Sequence, residues 1–198
     1  MAQLALNKTS LTRETRQLGT YERFLPSLDL KRRQLIAERN TARRSMQAID
    51  NDIATRESGV GTQLPMAADE RLSLDNIVSV RSVDIGEENV VGLRLPVLQG
   101  VSIDVMPYSM LARPHWVDAL VGELETLVEL RIRAQVQTRR LDILEQAVKK
   151  ITQRVNLFDK VLIPRTRENI RRIRISLSDA ERAAVVNAKI AKRKRQAS

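Results

Sequence analysis

Apolar residues recur at heptad spacing along the first part of the chain: Leu4, Leu11, Leu18, Tyr21, Leu25, Leu28, Leu35, Ala42, Met46, Ile49 and Ile53. The same register also lands on Asn7, Glu14, Arg32 and Arg39, so the stripe is interrupted by polar positions. A 3.5-residue repeat held this long predicts a helix that supercoils around a partner helix. Pro26 removes a backbone donor inside this pattern. It predicts a bend near residues 22–26 or, alternatively, a helix that starts with Pro26 in its first turn. The pattern stops at ESGVGTQLP, where Gly59, Gly61 and Pro65 read as breakers and GVG as a turn.

The period then changes. In NIVSVRSVDI, residues 76–85, apolar and polar positions lean towards alternation, GEEN reads as a tight turn, and VVGLRLPVL resumes with β-branched residues. This predicts a β-hairpin. VSIDVM predicts a further short strand after Gly100, and Pro96 and Pro107 restrict these strands to edge or terminal positions. A lone hairpin is barely stable in water, so it must lean on a helix or another chain.

A second heptad begins near RPHWVDALVGELE. It runs Val117, Leu120, Leu124, Leu127, Ala134, Leu141, Leu144, Val148, Ile151, Val155, Phe158, Leu162. The next seam positions are Thr166, Ile170, Ile173, Leu177, Ala180 and Ala184. After Leu162, two successive steps of four, to Thr166 and to Ile170, break the three-and-four alternation, and such a stutter locally unwinds a left-handed supercoil. Pro164 falls at the same place. The pattern predicts a helix from about 115 to about 190, on the order of 110 Å at 1.5 Å per residue, with a fraying basic tail, KIAKRKRQAS.

The expected architecture is therefore mainly α. A long antiparallel two-helix coiled coil forms from the N- and C-terminal helices, with a small central β-hairpin. The expected segments are an N-terminal helix over 1–64, a connecting region over 65–113 and a C-terminal helix over 114–198.

Composition supports thin helical seams over a thick core. Aromatic residues make up only 3% of the chain while 42% is hydrophobic, so the apolar content is mostly Leu, Ile, Val and Ala. The net charge is +10, unevenly spread. Residues 1–64 hold 11 basic and 7 acidic groups, residues 65–104 hold 3 and 7, and residues 105–198 hold 20 and 10. Basic ends and an acidic middle imply different surroundings for different zones. Cysteine is absent, which excludes disulfides and thiolate chemistry. No signal peptide and no membrane span is expected.

No catalytic constellation is expected either. His115 is the only histidine, no phosphate-binding loop motif is present, and Glu87 and Glu88 read as solvated turn residues. Trp116 is expected to pack at the helix start or against the hairpin. No cofactor or metal site is expected. Basic runs at Lys31–Arg33, Arg171–Arg174 and Lys192–Arg195 keep a free-standing basic scaffold or nucleic-acid-binding protein as the alternative. The missing stacking aromatics weigh against it.

The stretches ALNKTSLTRETRQLGTYERFLPSLDLKRRQLIAE and RVNLFDKVLIPRTRENIRRIRISLSDAERAAVVNAKIAKRK resemble the terminal helices of the D subunit of V-type and A-type ATPases and ATP synthases. NVVGLRLPVL is similar to that family's central region, and LPSLDLKRRQL and VNLFDKVLIP are the more specific parts. The resemblance implies a central-stalk rotor component, cytoplasmic and peripheral to the membrane, coupling ATP turnover to proton or sodium translocation. It implies no active site of its own. The implied partners are the A and B subunits of the catalytic head, the F subunit of the stalk, and the funnel-shaped C/d subunit above the membrane ring, with no nucleic acid and no membrane insertion. A rotor must be stiff and asymmetric. Pro26 and Pro164 are the candidate bends, Arg165, Arg167, Arg171, Arg172 and Arg174 the candidate head-facing cations, and Val83, Ile85, Val90, Val91, Leu93 and Leu95 the candidate stalk-partner surface of the hairpin.

Overall fold

The structure is a computed structural model that describes residues 5–68, 77–108 and 114–197. Leu4, at the head of the first heptad, lies outside the described residues. Helix α1 spans Lys8–Gln63. A 3-10 turn at Pro65–Ala68 follows it. Strands β1 (Val78–Val90) and β2 (Leu93–Val105) form an antiparallel hairpin. Helix α2 covers Trp116–Leu157, a π-helical turn covers Phe158–Leu162, and helix α3 covers Ile163–Ala197.

Asn7 starts α1: its Oδ1 accepts the Ser10 N–H at 2.7 Å, satisfying one of the donors a helix start leaves open. The helix then passes through Pro26, so the alternative start at Pro26 does not hold. It also passes through Gly59 and Gly61, so GVG is helical and the expected turn there is overturned. Two glycines weaken a helix by roughly 1 kcal/mol each. Here Val60 and Leu64 pack against the buried cluster around Trp116, which offsets that cost.

The chain forms two compact units, Met1–Arg32 with Lys149–Ser198, and Arg33–Val148. In the central unit, α1 and α2 run antiparallel. Arg43 pairs with Glu145, Gln137 Nε2 donates to the Ala42 carbonyl at 3.0 Å, and Arg56 pairs with Glu123 at 3.0 Å. Leu35, Ala42 and Ile49 are buried on the α1 side, Leu130, Leu144 and Val148 on the α2 side. The hairpin joins this unit through a cluster of Ile77, Trp116, Val117, Leu120 and Val121, with Val78 and Val105 packed on it. Trp116 thus packs at the helix start against the hairpin base, while His115 is exposed.

The hairpin differs from its expected form. GEEN lies inside β1, and the turn is Val91–Gly92, with φ of 54° and 80°. Two positive φ values in a two-residue loop match the right-handed twist of the flanking strands. Gly92 adopts this without strain, and Asn89 Oδ1 accepts the Gly92 N–H at 3.0 Å. Glu87 and Glu88 are strand residues. VSIDVM is no separate strand: β2 runs through Pro96 and Gly100 to Val105. Pro96 is tolerated because a two-stranded sheet leaves each strand one unpaired edge.

In the terminal unit, α1 pairs antiparallel with the second helical run. Asn169 Nδ2 donates to Glu14 at 3.0 Å, and the Tyr21 ring meets Phe158 edge-on at 5.4 Å. The buried positions are Ile151 and Val155, then Ile163, Thr166, Ile170 and Ile173. Ala180 and Ala184, expected on the seam, are exposed, as is every side chain described from Asp179 to Gln196. The tail expected to fray stays helical to Ala197, consistent with its Ala, Lys and Arg content.

Candidate functional site

No group of His, Cys, Asp and Glu with metal-binding geometry exists among the described residues, and no described helix is long and apolar enough to cross a membrane. The features that carry function are surfaces and helix geometry.

The first is the turn before Pro164. Val155 and Ile163 are both buried, eight residues apart, where a heptad allows seven. Continuing the alternation from Val155 without a shift would put Arg165, Asn169 and Arg172 on the seam. One extra residue must therefore be absorbed between Val155 and Ile163. A π turn does this, because its bonds run from residue i to i+5. The Ile163 N–H donates to the Phe158 carbonyl, which is that bond. Pro164, next in line, has no N–H to donate and repels the carbonyl four residues back. The widened turn removes that conflict. The stutter and Pro164 thus coincide at one structural device. Pro26 sits inside α1, which stays helical through it, and its exposed ring borders a groove of about 340 Å³ with Leu25, Asp29, Arg32, Val155, Asn156 and Asp159.

The second is the arginine set on α3. Arg165, Arg167, Arg171, Arg172 and Arg174 are all exposed. Arg167 pairs with Glu22 on α1 at 2.7 Å, and Arg171 and Arg172 share Glu168. Arg165 and Arg174 have no ion-pair partner among the described residues. The one-residue phase shift keeps Arg165 and Arg172 on the outside.

The third is the hairpin. Opposed residues of an antiparallel pair share a face, and the register has two irregularities: Arg81 is an extra residue on β1 and Gln99 one on β2. Followed through both, Val78, Val80, Val83 and Ile85 lie on one face with Leu98, Val101, Ile103 and Val105. Glu88, Val90, Leu93 and Leu95 lie on the other. At the base the first face meets the helices through Val78 and Val105. At the tip the second face does: Leu95 is 0% exposed, and its neighbour Glu88 pairs with Arg140 of α2 at 2.9 Å. Strong ribbon twist, increased by bulges, allows this change of face. The middle of the first face stays open, with Val80, Val83 and Ile85 at 44%, 38% and 51% exposure. The six residues expected to form one partner surface are therefore split. Val83 and Ile85 are free, Val90 and Leu93 are half-buried on the other face, Val91 is in the turn, and Leu95 is already covered by its own chain.

Sequence reasoning missed Glu14 as a partnered group. It is buried and accepts from Asn169, with Ser10 and Thr166 the other buried polar residues among those described. The signal was present, because Glu14 falls on the first heptad. Asn169 sits one residue before the seam position Ile170 and gave no sign of its own.

Comparison with known proteins places this chain. It is 28% identical over 192 residues to the V-type ATP synthase D subunit of Borreliella burgdorferi, covering 97% of this chain and 95% of the relative. It is 34% identical over 200 residues to the V-type ATP synthase D subunit of Chlamydia muridarum, covering 98% and 97%. The Chlamydia pneumoniae protein of the same name is 30% identical over 197 residues, covering 97% and 93%. Residues 10–193 match the profile of the family described as the ATP synthase D subunit. With two long helices paired antiparallel around a central hairpin and a match over nearly its whole length, the chain belongs to the ATP synthase D-subunit family.

Proposed function

We propose that this chain is the central-stalk rotor subunit of a rotary V/A-type ATP synthase and has no catalytic site of its own. One structural observation supports the reading most directly: from Asp179 to Gln196, α3 carries about five turns of helix whose side chains are all exposed. A helix of that length is marginal in water unless something packs on it. Val185, Val186 and Ile190 are half-exposed on it, beside Lys189, Lys192 and Arg193. This end fits the interior of a surrounding head, where the A and B subunits supply the missing apolar contacts.

In this reading Arg165, Arg167, Arg171, Arg172 and Arg174 face the head as a mobile band of positive charge. Exposed cations attract acidic loops over about 10 Å without a deep binding well, which suits a surface that must turn. The π turn and Pro164 make the shaft asymmetric, with Pro26 opposite as a second bend point. The open hairpin face of Val83 and Ile85 meets a stalk partner, the F subunit or the funnel-shaped C/d subunit, and the complex holds the chain at the membrane surface without insertion. Residues 1–64, 65–113 and 114–198 act as N-terminal helix, connecting region and C-terminal helix. The match over residues 10–193 does not favour the free-standing scaffold or nucleic-acid alternative.

The test is reassembly of the complex with full-length chain and with a chain ending after Leu177. The truncated chain is expected to bind the stalk partners but to lose coupling between ATP hydrolysis and rotation. Full coupling by the truncated chain overturns the reading.

A further inference from the structure

We propose that one flank of the terminal helix pair, centred on Phe24, Leu157 and Val161, docks a partner helix whose apolar stripe is bordered by Asp and Glu. The Tyr21–Phe158 ring contact fixes which residues of the two helices face each other. Counting helical phase from that contact, Phe24 stands on one side of the α1 seam. In an antiparallel pair the matching side of the second helix carries Arg154, Leu157 and Val161. The opposite side carries Pro26, Asp29, Asn156 and Asp159, which line the shared groove described above. The two flanks are therefore separate surfaces.

Their chemistry differs. Phe24, Leu157 and Val161 are 54%, 47% and 48% exposed, large apolar groups left half in water on one flank. Lys31 and Lys150 fall on the same flank by phase, together with Arg154. None of these three cations is joined to a carboxylate among the described residues. The nearby carboxylates belong to the other flank, where Asp29 pairs with Arg32 and Glu22 with Arg167. Half-exposed apolar groups bordered by unpaired cations of one sign fit a surface of the opposite sign. The two parallel helical ridges with a shallow groove between them fit a helix. An anionic stripe would also speed docking by long-range attraction. This surface uses no residue of the solvent-exposed end of α3 or of the hairpin, and the proposal does not depend on the rotor reading.

The test uses the full-length chain and a fluorescent amphipathic peptide about 20 residues long, enough to form helix. The peptide carries Leu on its apolar stripe and Glu on both borders, and a second version carries Lys in place of Glu. Fluorescence anisotropy is expected to show binding of the Glu peptide that weakens as salt is raised. Binding should be at least about tenfold weaker for the Phe24→Glu/Val161→Glu chain, as expected when two buried anchors are lost. Asn156→Glu, on the other flank, should leave the affinity within about twofold of the parent chain, as surface changes away from a contact do. Circular dichroism checks that each variant keeps its helix content. The proposal falls if the Glu peptide does not bind, if both peptides bind equally, or if the double variant binds like the parent. It also falls if sedimentation shows a parent dimer that the double variant breaks, since a second copy would then cover the flank.

Discussion

The central unit and the terminal unit use the same pair of helices differently. In the central unit the helices share a core with a β-hairpin, and the buried residues there, Leu35, Leu95, Trp116, Val117, Leu120 and Leu144 among them, are apolar. In the terminal unit only two helices meet, and Ser10, Glu14 and Thr166 take seam positions that leucine would fill in an optimised pair. A hairpin adds a third layer, which lets Leu95 and Val117 be fully enclosed. A bare helix pair offers one narrow seam, so each polar substitution on it removes a large share of the burial. The central unit is thus built for cohesion. The terminal unit gives up cohesion for a defined register, a phase shift and outward-facing charge.

The sharpest way to break the contrast is at its most enclosed side chain. Leu95→Ala should lower stability by about 3 kcal/mol through lost burial and a residual cavity, read by chemical denaturation. Ile85→Ala, on the open face of the same hairpin, should change it by no more than about 0.5 kcal/mol. Similar costs for the two would erase the distinction between covered and open faces.

In the terminal unit, Glu14→Ala should cost about 1–2 kcal/mol, because Asn169 is left without its acceptor. Pairing Glu14→Leu with Asn169→Leu should restore or raise the melting temperature. If the polar pair sets register, that double variant should also lose its single antiparallel alignment, which pairwise distance measurements between spin labels on α1 and α3 would detect. The smallest effect is at the turn. Val91→Asn should stabilise the hairpin by about 0.5–1 kcal/mol, since a β-branched residue at φ 54° is strained and Asn tolerates that region. A loss of stability there would mean that Val91 makes an apolar contact that outweighs its backbone strain.

Much of this was legible from spacing. The heptads located both helices, the stutter located the π turn, and alternation located the hairpin. The misses share a cause. GVG reads as a turn because glycine weakens helices, yet packing of Val60 and Leu64 carried α1 through it. GEEN reads as a turn because its residues suit one. Register placed the turn four residues on, with Val91 and Gly92 at its centre, where Gly92 could accept a positive φ. Ala180 and Ala184 continue the seam spacing, but no helix stands opposite them among the described residues of this unit. A pattern records a face able to be buried, and it does not record whether anything arrives to bury it.

The sequence by itself determined that two helices would pair around a hairpin, because period is a local property of the chain and each period suits one backbone geometry. It also determined that the second helix must absorb one residue near Pro164, since the apolar phase slips there whatever the partner. Only the tertiary structure decided which hairpin face is covered at each end, that Glu14 would find Asn169, and which flank of the helix pair keeps its cations unpaired. Those outcomes depend on twist, register and distance between residues far apart in the chain, and local pattern does not encode them.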